Sequence, residues 1–266
     1  PVVTVTPSSS TICRGGSVAL TGSGAGVGGG YTWSPGTGLS ATTGATVTAS
    51  PTATTTYTVI GTTLAGCRDT TTTVVTVNPL PATTITPSGP LTFCTGDTVR
   101  LTAPAGVGYT YQWNNAGGAI PGATNQYYTT GTTGIYSVDV TNGFGCTATS
   151  TVAIVSAVSL PTIAVSPAGG SICLGGSGLM LTASGAGLGG SYTWGPTTGL
   201  TPSFGATVLA NPTATTIYTV TGTTIIGCVG TATVTVTVNP VPPTTVVASG
   251  PLTFCAGDEV TLTGPV

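Results

Sequence analysis

The sequence predicts an all-β protein built from β-sandwich units in tandem, arranged as an extended rod. Three observations carry that expectation. The first is repetition. Tyr31-Thr-Trp33 returns as Tyr192-Thr-Trp194, and Pro51-Thr-Ala-Thr-Thr-Thr-Tyr-Thr-Val59 as Pro212-Thr-Ala-Thr-Thr-Ile-Tyr-Thr-Val220. Pro90-Leu-Thr-Phe-Cys94 returns as Pro251-Leu-Thr-Phe-Cys255, and each return lies 161 residues downstream. Self-similarity at a fixed period marks an array. The second is composition. Roughly a quarter of the residues are threonine, and Val, Ile and Tyr fill much of the rest. These residues suit a pleated, half-buried surface. The third is alternation: Thr233-Val-Thr-Val-Thr-Val238 has the period of two that a strand with one buried face requires.

The repeats divide the chain at 1–79, 80–160 and 161–240, with a partial unit at 241–266. The first and third are close kin, the second resembles the partial one, and the order is therefore A-B-A-B. A sequence that lacks an initiator Met and stops partway into a unit is expected to be a window on a longer array. The joints fall in Asn78-Pro-Leu-Pro81, Ser159-Leu-Pro161 and Asn239-Pro-Val-Pro-Pro243. Proline fixes φ and removes a donor, which favours extended, semi-rigid connections.

In the first unit the predicted strands are residues 2–6, 17–21, 30–33, 45–49, 55–61 and 71–77. Each mixes Val, Thr, Leu, Tyr or Trp in short alternating runs. Gly-rich stretches such as 22–30 read as loops, because glycine weakens strand interiors and admits positive φ. No segment carries a helical stripe. Six or seven short strands in about 80 residues suggest a sandwich of immunoglobulin type.

The aromatic residues fit that architecture. Trp33, Trp113 and Trp194 recur once per unit, about 20 residues after its first cysteine, on the presumed third strand. Tyr57, Tyr136 and Tyr218 precede valines on the presumed sixth strand. All six are expected to fill the sandwich core rather than form a sugar-binding platform.

Seven cysteines, Cys13, Cys67, Cys94, Cys146, Cys173, Cys228 and Cys255, sit at regular places. With no histidine and no closely spaced Cys pair they read as disulfides of an oxidising compartment, not zinc ligands. Two pairings are open. Pairing within units gives Cys13–Cys67, Cys94–Cys146 and Cys173–Cys228. Pairing between units gives Cys13–Cys146 and Cys94–Cys228. In an immunoglobulin-type sandwich the ends that carry Cys13 and Cys67 lie about a strand length apart, roughly 20 Å. A disulfide needs Cα atoms about 4.4–6.8 Å apart. This geometry favours the bridge between units.

Charge excludes several functions. Only Arg14, Arg68, Arg100, Asp69, Asp97, Asp139, Asp258 and Glu259 are charged, 3% of the chain against about 25% in ordinary domains. Three arginines cannot build a nucleic-acid groove. No apolar run is long enough to span a bilayer. A nucleophilic Ser or Thr would need a base, and neither His nor Lys is present. The Gly-rich runs precede strands, not helices, so they are no phosphate cradle. No enzyme activity, cofactor or metal is expected. Weak self-repulsion favours lateral association.

The strings Cys-x-Gly-Gly/Asp-x-Val-x-Leu-Thr, Tyr-Thr-Trp-Ser-Pro-x-Thr-Gly-Leu, Pro-Thr-Ala-Thr-Thr-x-Tyr-Thr-Val and Gly-Cys resemble a known family. They are similar to the immunoglobulin-like and PKD-like tandem repeats of giant secreted surface proteins of Bacteroidota, including gliding-motility adhesins exported by the type IX system. The resemblance covers all 266 residues. Cys13, Trp33, Tyr57 and Cys67 match it in the first unit, and Cys173, Trp194, Tyr218 and Cys228 in the third. It implies an extracellular, cell-surface stalk, adhesin or filament, or a spacer of a secreted enzyme. It also implies O-glycans on Thr70 and Thr98, in Asp69-Thr70-Thr71 and Asp97-Thr98-Val99. The expected function is a non-enzymatic extracellular structural repeat in a surface filament or adhesin stalk. Its expected partners are other copies, surface proteins or glycans. The alternatives are a glycan-binding adhesive module, which surface aromatics in loops beyond Tyr127-Tyr128 would support, and a passive spacer of a secreted enzyme.

Overall fold

A computed structural model describes residues 1–116 and 118–264. Every regular element among them is a strand, and no helix is long and apolar enough to cross a membrane. The chain divides into two compact units, Pro1–Leu91 with Thr98–Ser156, and Thr92–Asp97 with Ala157–Val266.

The first unit opens with a seven-stranded sandwich. One sheet orders β1 (Thr4–Thr6), β3 (Val18–Ser23) and β5 (Thr46–Ala49), all antiparallel. The facing sheet orders β2 (Ser9–Cys13), β7 (Arg68–Asn78), β6 (Thr55–Thr62) and β4 (Gly30–Ser34), with β2 parallel to β7. Alternate residues of both sheets meet in the core: Val5, Leu20, Trp33, Val47, Tyr57, Val59 and Val75 are buried. Each such side chain contributes about 1.5–3 kcal/mol on burial.

The second sandwich of this unit pairs β13 (Tyr127–Thr130), β10 (Val99–Thr102) and β8 (Thr86–Pro87) in one sheet. The other runs β12 (Gly118–Ala119), β11 (Thr110–Asn115), β14 (Gly134–Thr141) and β16 (Ala153–Val158), with β15 (Thr147–Thr149) on the end of β14. Between β8 and β10 the chain forms β9 (Thr92–Cys94), which belongs to the second compact unit. There Thr95 N–H donates to Val158 O at 2.8 Å.

The third sandwich repeats the first. Its sheets are β17 (Ala164–Ser166), β19 (Leu179–Ser184), β22 (Thr207–Ala210) and β21 (Leu200–Thr201), and β18 (Gly169–Cys173), β24 (Val229–Asn239), β23 (Thr216–Thr223) and β20 (Ser191–Gly195). A hairpin of β25 (Val247–Ala248) and β26 (Leu262–Thr263) follows.

Six strands predicted for the first unit are present within a few residues of their expected bounds. A seventh, β2, was not predicted. Its Ser-Ser-Thr-Ile-Cys run has little apolar alternation, and it is a strand because β7 offers it a parallel edge from Ser9↔Val74 to Cys13↔Asn78. The loop predicted for 22–30 begins later, because Gly22 and Ser23 close β3. Gly22 lies against the Tyr31 ring, where a Cβ would meet ring carbon at 3.0 Å. Gly24, at φ +96°, turns the chain so tightly that a Cβ would strike Val2 O, and its counterpart Gly185 faces Thr162 O in the same way.

The aromatics hold equivalent places in all three sandwiches. Each Trp pairs across the sheet with a valine: Trp33↔Val59, Trp113↔Val138 and Trp194↔Val220. All three are buried. Each indole N–H donates to a backbone carbonyl, of Gly44 (2.9 Å), Asn125 (3.0 Å) or Gly205 (3.0 Å). Tyr57 and Tyr218 are buried on the neighbouring strand, and their hydroxyls donate to Thr37 O (2.7 Å) and Thr198 O (2.8 Å). Tyr136 instead reaches four residues back to Thr132 O at 3.0 Å, as in the tyrosine corner of immunoglobulin sandwiches.

Two outcomes follow from this core. Trp113→Ala is expected to lower stability by about 3–5 kcal/mol, whereas Ala at Ile154, exposed on β16, is expected to stay within about 0.5 kcal/mol. Denaturant midpoints of the two variants check this. Burial pushes the Tyr57 and Tyr218 phenols above their ordinary value, despite a hydrogen bond from a neighbouring threonine. The native state then keeps a proton that the unfolded chain loses above about pH 10. Stability is therefore full below that pH and falls as pH rises through the native value. Midpoints measured from pH 8 to 12 should show the decline, and Tyr57→Phe should make it shallower.

Candidate functional site

The chemistry-bearing residues that the fold brings together are cysteines. Cys13 is the last residue of β2, opposite Asn78 at the end of β7. A turn follows, with Arg14 N–H donating to Asn78 O (2.9 Å) and Gly16 N–H to Cys13 O (2.8 Å). Cys146 lies in the turn between β14 and β15. The two are bonded, with S–S 1.94 Å and Cα–Cα 5.6 Å. Cys94, at the end of β9, is bonded to Cys228, in the turn between β23 and β24, with S–S 2.07 Å and Cα–Cα 5.5 Å. Cys67, Cys173 and Cys255 are exposed and unbonded.

The pairings within repeats, Cys13–Cys67, Cys94–Cys146 and Cys173–Cys228, are not formed. Register explains this for the two type-A sandwiches. Cys13 sits beside Asn78, whereas Cys67 precedes Arg68 at the other end of the same 11-residue strand. Cys173 sits beside Asn239 and Cys228 precedes Val229, again at opposite ends of an 11-residue strand. At about 3.3 Å per residue the separation is roughly 30 Å, several times the span of a disulfide.

Asn142 organises the Cys146 turn and was not singled out from the sequence. It is buried. Its Oδ1 accepts from Phe144 N–H (3.0 Å) and Cys146 N–H (3.1 Å), and its Nδ2 donates to Pro79 O (2.8 Å) at the end of the first sandwich. Thr63 and Thr224 hold the corresponding place, each hydroxyl accepting from the cysteine amide four residues on, at 3.1 and 2.9 Å. The signal was present in the strings Thr63-Leu-Ala-Gly-Cys67, Asn142-Gly-Phe-Gly-Cys146 and Thr224-Ile-Ile-Gly-Cys228. Recognising it required knowing that the fourth residue before each cysteine faces its amide.

The carboxylates are dispersed. No group of three or more His, Cys, Asp or Glu side chains could hold a metal ion among the described residues. Asp69 Oδ2 accepts from Val3 N–H at 2.7 Å. That bond, with one from the Thr70 amide, holds its carboxyl below the ordinary value. Asp139 accepts from Asn114 Nδ2 (3.0 Å) and the Thr149 hydroxyl. Thr70 is exposed at the start of β7, and Thr98 is exposed just before β10. Of the Tyr127-Tyr128 pair, Tyr128 turns inward, its ring centre 6.0 Å from Trp113 and 5.7 Å from Tyr136. Tyr127 faces out, with the Arg100 guanidinium 5.4 Å from its ring centre.

No family model and no curated protein matches the chain. Solved structures do. The crystal structure of the N-terminal eight Ig domains of Down Syndrome Cell Adhesion Molecule aligns over 90% of this chain and 37% of its own, at 12% identity and a TM-score of 0.51. The three N-terminal domains of the bacteriophage RB49 highly immunogenic outer capsid protein align over 89% and 98%, at 16% identity and 0.41. A Ca2+-stabilized, ice-binding adhesin of an Antarctic bacterium aligns over 90% and 74%, at 17% identity and 0.35. The chain thus spans little more than a third of the first of these. At such identities the likeness speaks to fold, and the fold is a tandem series of Ig-like β-sandwiches.

Proposed function

We propose that this chain is a non-enzymatic, load-bearing segment of an extracellular array, in a surface filament or an adhesin stalk. The observation that carries the reading is the interleaving of its two disulfides. Cys94 lies inside the Cys13–Cys146 loop, and Cys146 lies inside the Cys94–Cys228 loop. A pull along the chain therefore crosses from Cys13 to Cys146, returns along the polypeptide to Cys94, and crosses to Cys228. The segments between Cys13 and Cys94, and between Cys146 and Cys228, are relieved of tension. Such bonds persist in an oxidising environment outside the cytosol. A surface with so few charges and so many hydroxyls suits a passive, packed fibre.

The finer reading places the chain among the Bacteroidota repeats exported by the type IX system, on the strings that it shares with them. Exposed Thr70 and Thr98 are the O-glycan acceptors in this reading. Association between copies is supported by apolar residues left open at equivalent loop tips, Val27, Val107 and Leu188. Succession of the sandwiches as a stiff rod is part of the same proposal.

Pulling single molecules from their ends tests the load-bearing role. The oxidised chain should lengthen between Cys13 and Cys228 by the 94–146 segment alone. Reduction should add about 3.3–3.6 Å for each freed residue. Equal lengths before and after reduction would overturn the role. Electron microscopy of native material, labelled through this chain, should show continuous surface threads; label confined to dispersed soluble protein would rule out the filament or stalk.

A further inference from the structure

Seven asparagines lie in the chain, and Asn142 alone is followed by glycine. Asn78, Asn211 and Asn239 precede proline, while Asn114, Asn115 and Asn125 precede asparagine, alanine and glutamine. The difference is chemical. A backbone nitrogen can attack the side-chain amide carbon of the asparagine before it and close a succinimide ring. Proline has no N–H to give up. A Cβ on the following residue crowds the approach, and glycine has none. Asn142-Gly143 is therefore the position in this sequence most disposed to deamidate.

The fold holds that reaction back. All four polar atoms of Asn142 are engaged. Its N–H donates to Cys146 O and its carbonyl accepts from Gly145 N–H, both at 2.9 Å. Its Oδ1 accepts from the Phe144 and Cys146 amides, and its Nδ2 donates to Pro79 O. Gly143 is hemmed in as well: a Cβ on Gly108 would stand 3.1 Å from Gly143 Cα, and one on Gly143 would stand 3.3 Å from Val107 O. Cyclisation swings Asn142 Cγ onto Gly143 N, and that motion breaks the hydrogen bonds of both side-chain atoms. The turn that keeps them closed ends at Cys146, which is tied to Cys13.

We propose that Asn142-Gly143 is a deamidation site that the Cys13–Cys146 disulfide keeps shut, and that its conversion once the disulfide opens leaves this joint lastingly weakened. Gly143 N bonds to Asn142 Cγ, the Cγ–Nδ2 bond breaks, and ammonia leaves with the Gly143 amide proton. One water then opens the succinimide. Opening at Cγ gives aspartate, and opening at the main-chain carbonyl gives isoaspartate. The sum is one water consumed and one ammonia released, with no oxidant or reductant. In the aspartate, one carboxylate oxygen still faces the Phe144 and Cys146 amides, but the other meets Pro79 O, acceptor against acceptor. In the isoaspartate the main chain gains one carbon beside the close approach of Gly143 to Gly108. The threonines at the corresponding place in the A repeats, Thr63 and Thr224, have no amide to lose. The inference concerns the chemistry of the joint whatever load the array bears, so it stands apart from the load-bearing reading.

The test follows the full 266-residue chain in mildly alkaline buffer, with mass spectrometry of the peptide that holds Asn142. In the oxidised, folded chain conversion should be at least about tenfold slower than in denaturant, the factor expected when two or three hydrogen bonds of ordinary net worth must open first. Equal rates would remove the protection on which the proposal rests. A Cys13→Ser/Cys146→Ser chain should convert faster than the oxidised chain while the near-ultraviolet circular dichroism of its buried tryptophans stays native. No acceleration would show that the disulfide is not the guard, and acceleration only with loss of that signal would show that global unfolding is; either overturns the proposal. Asn142→Asp supplies one product directly. After reduction in denaturant and reoxidation it should recover less Cys13–Cys146 peptide than the unsubstituted chain, with Cys94–Cys228 recovered normally. The unsubstituted chain aged in the reduced state should behave alike. Full recovery of Cys13–Cys146 in both, or loss of both disulfides together, would refute a lasting weakness confined to this joint.

Discussion

The constraint on which the rest depends is the parallel pairing of β2 with β7, repeated as β18 with β24. It carries a short serine- or glycine-rich segment to the edge of the sheet and ends it at a cysteine. That cysteine is thereby fixed at one end of the last long strand of its own sandwich, while the sandwich's turn cysteine is fixed at the other end. Two side chains so separated cannot bond without dismantling the sheet between them. Bonding within the repeat is excluded by the hydrogen-bond register, not by any special property of the sulfur atoms. A single slip of register would flip every side chain of β2 to the opposite face and remove Cys13 from its partner.

The sandwiches themselves need little from charge. Each core is anchored by one tryptophan and one tyrosine whose polar atoms are spent on backbone carbonyls within the same sandwich or, for Tyr136, also on Thr130. No buried side-chain nitrogen or oxygen is left without a partner among the described residues. The arrangement lets a large aromatic surface be buried at no desolvation penalty for its indole or hydroxyl. It also explains why the same aromatics recur although the surrounding threonines vary. A threonine facing solvent is exchangeable, whereas an indole bonded to a specific carbonyl is tied to one backbone course.

Much of this was legible in the sequence because its signals are local. Period-two alternation placed β3, β5, β6 and β7, and the recurrence of Trp33, Trp113 and Trp194 identified residues that do lie in the core. What escaped was set by distant partners. β2 lacks alternation and is a strand only beside β7. The short β8, β9 and β12 exist by edge pairing and have too few residues to show a period. Asn142 reads as an ordinary turn residue until the backbone brings Pro79 O to its amide. The paired cysteines were approachable from sequence because the argument turned on length alone, a strand being several times longer than a disulfide.

The alternation of repeat types acquires a physical meaning at these joints. In the first compact unit the turn of the B repeat carries asparagine, and one side chain serves both sides. Its oxygen closes the turn around Cys146, and its amide crosses to Pro79. In the A repeats the same place is threonine. Its single hydroxyl oxygen, already accepting from the cysteine amide, closes the turn, but the side chain has no amide to send across. The joint within the first compact unit thus combines a disulfide with a part-buried polar bond.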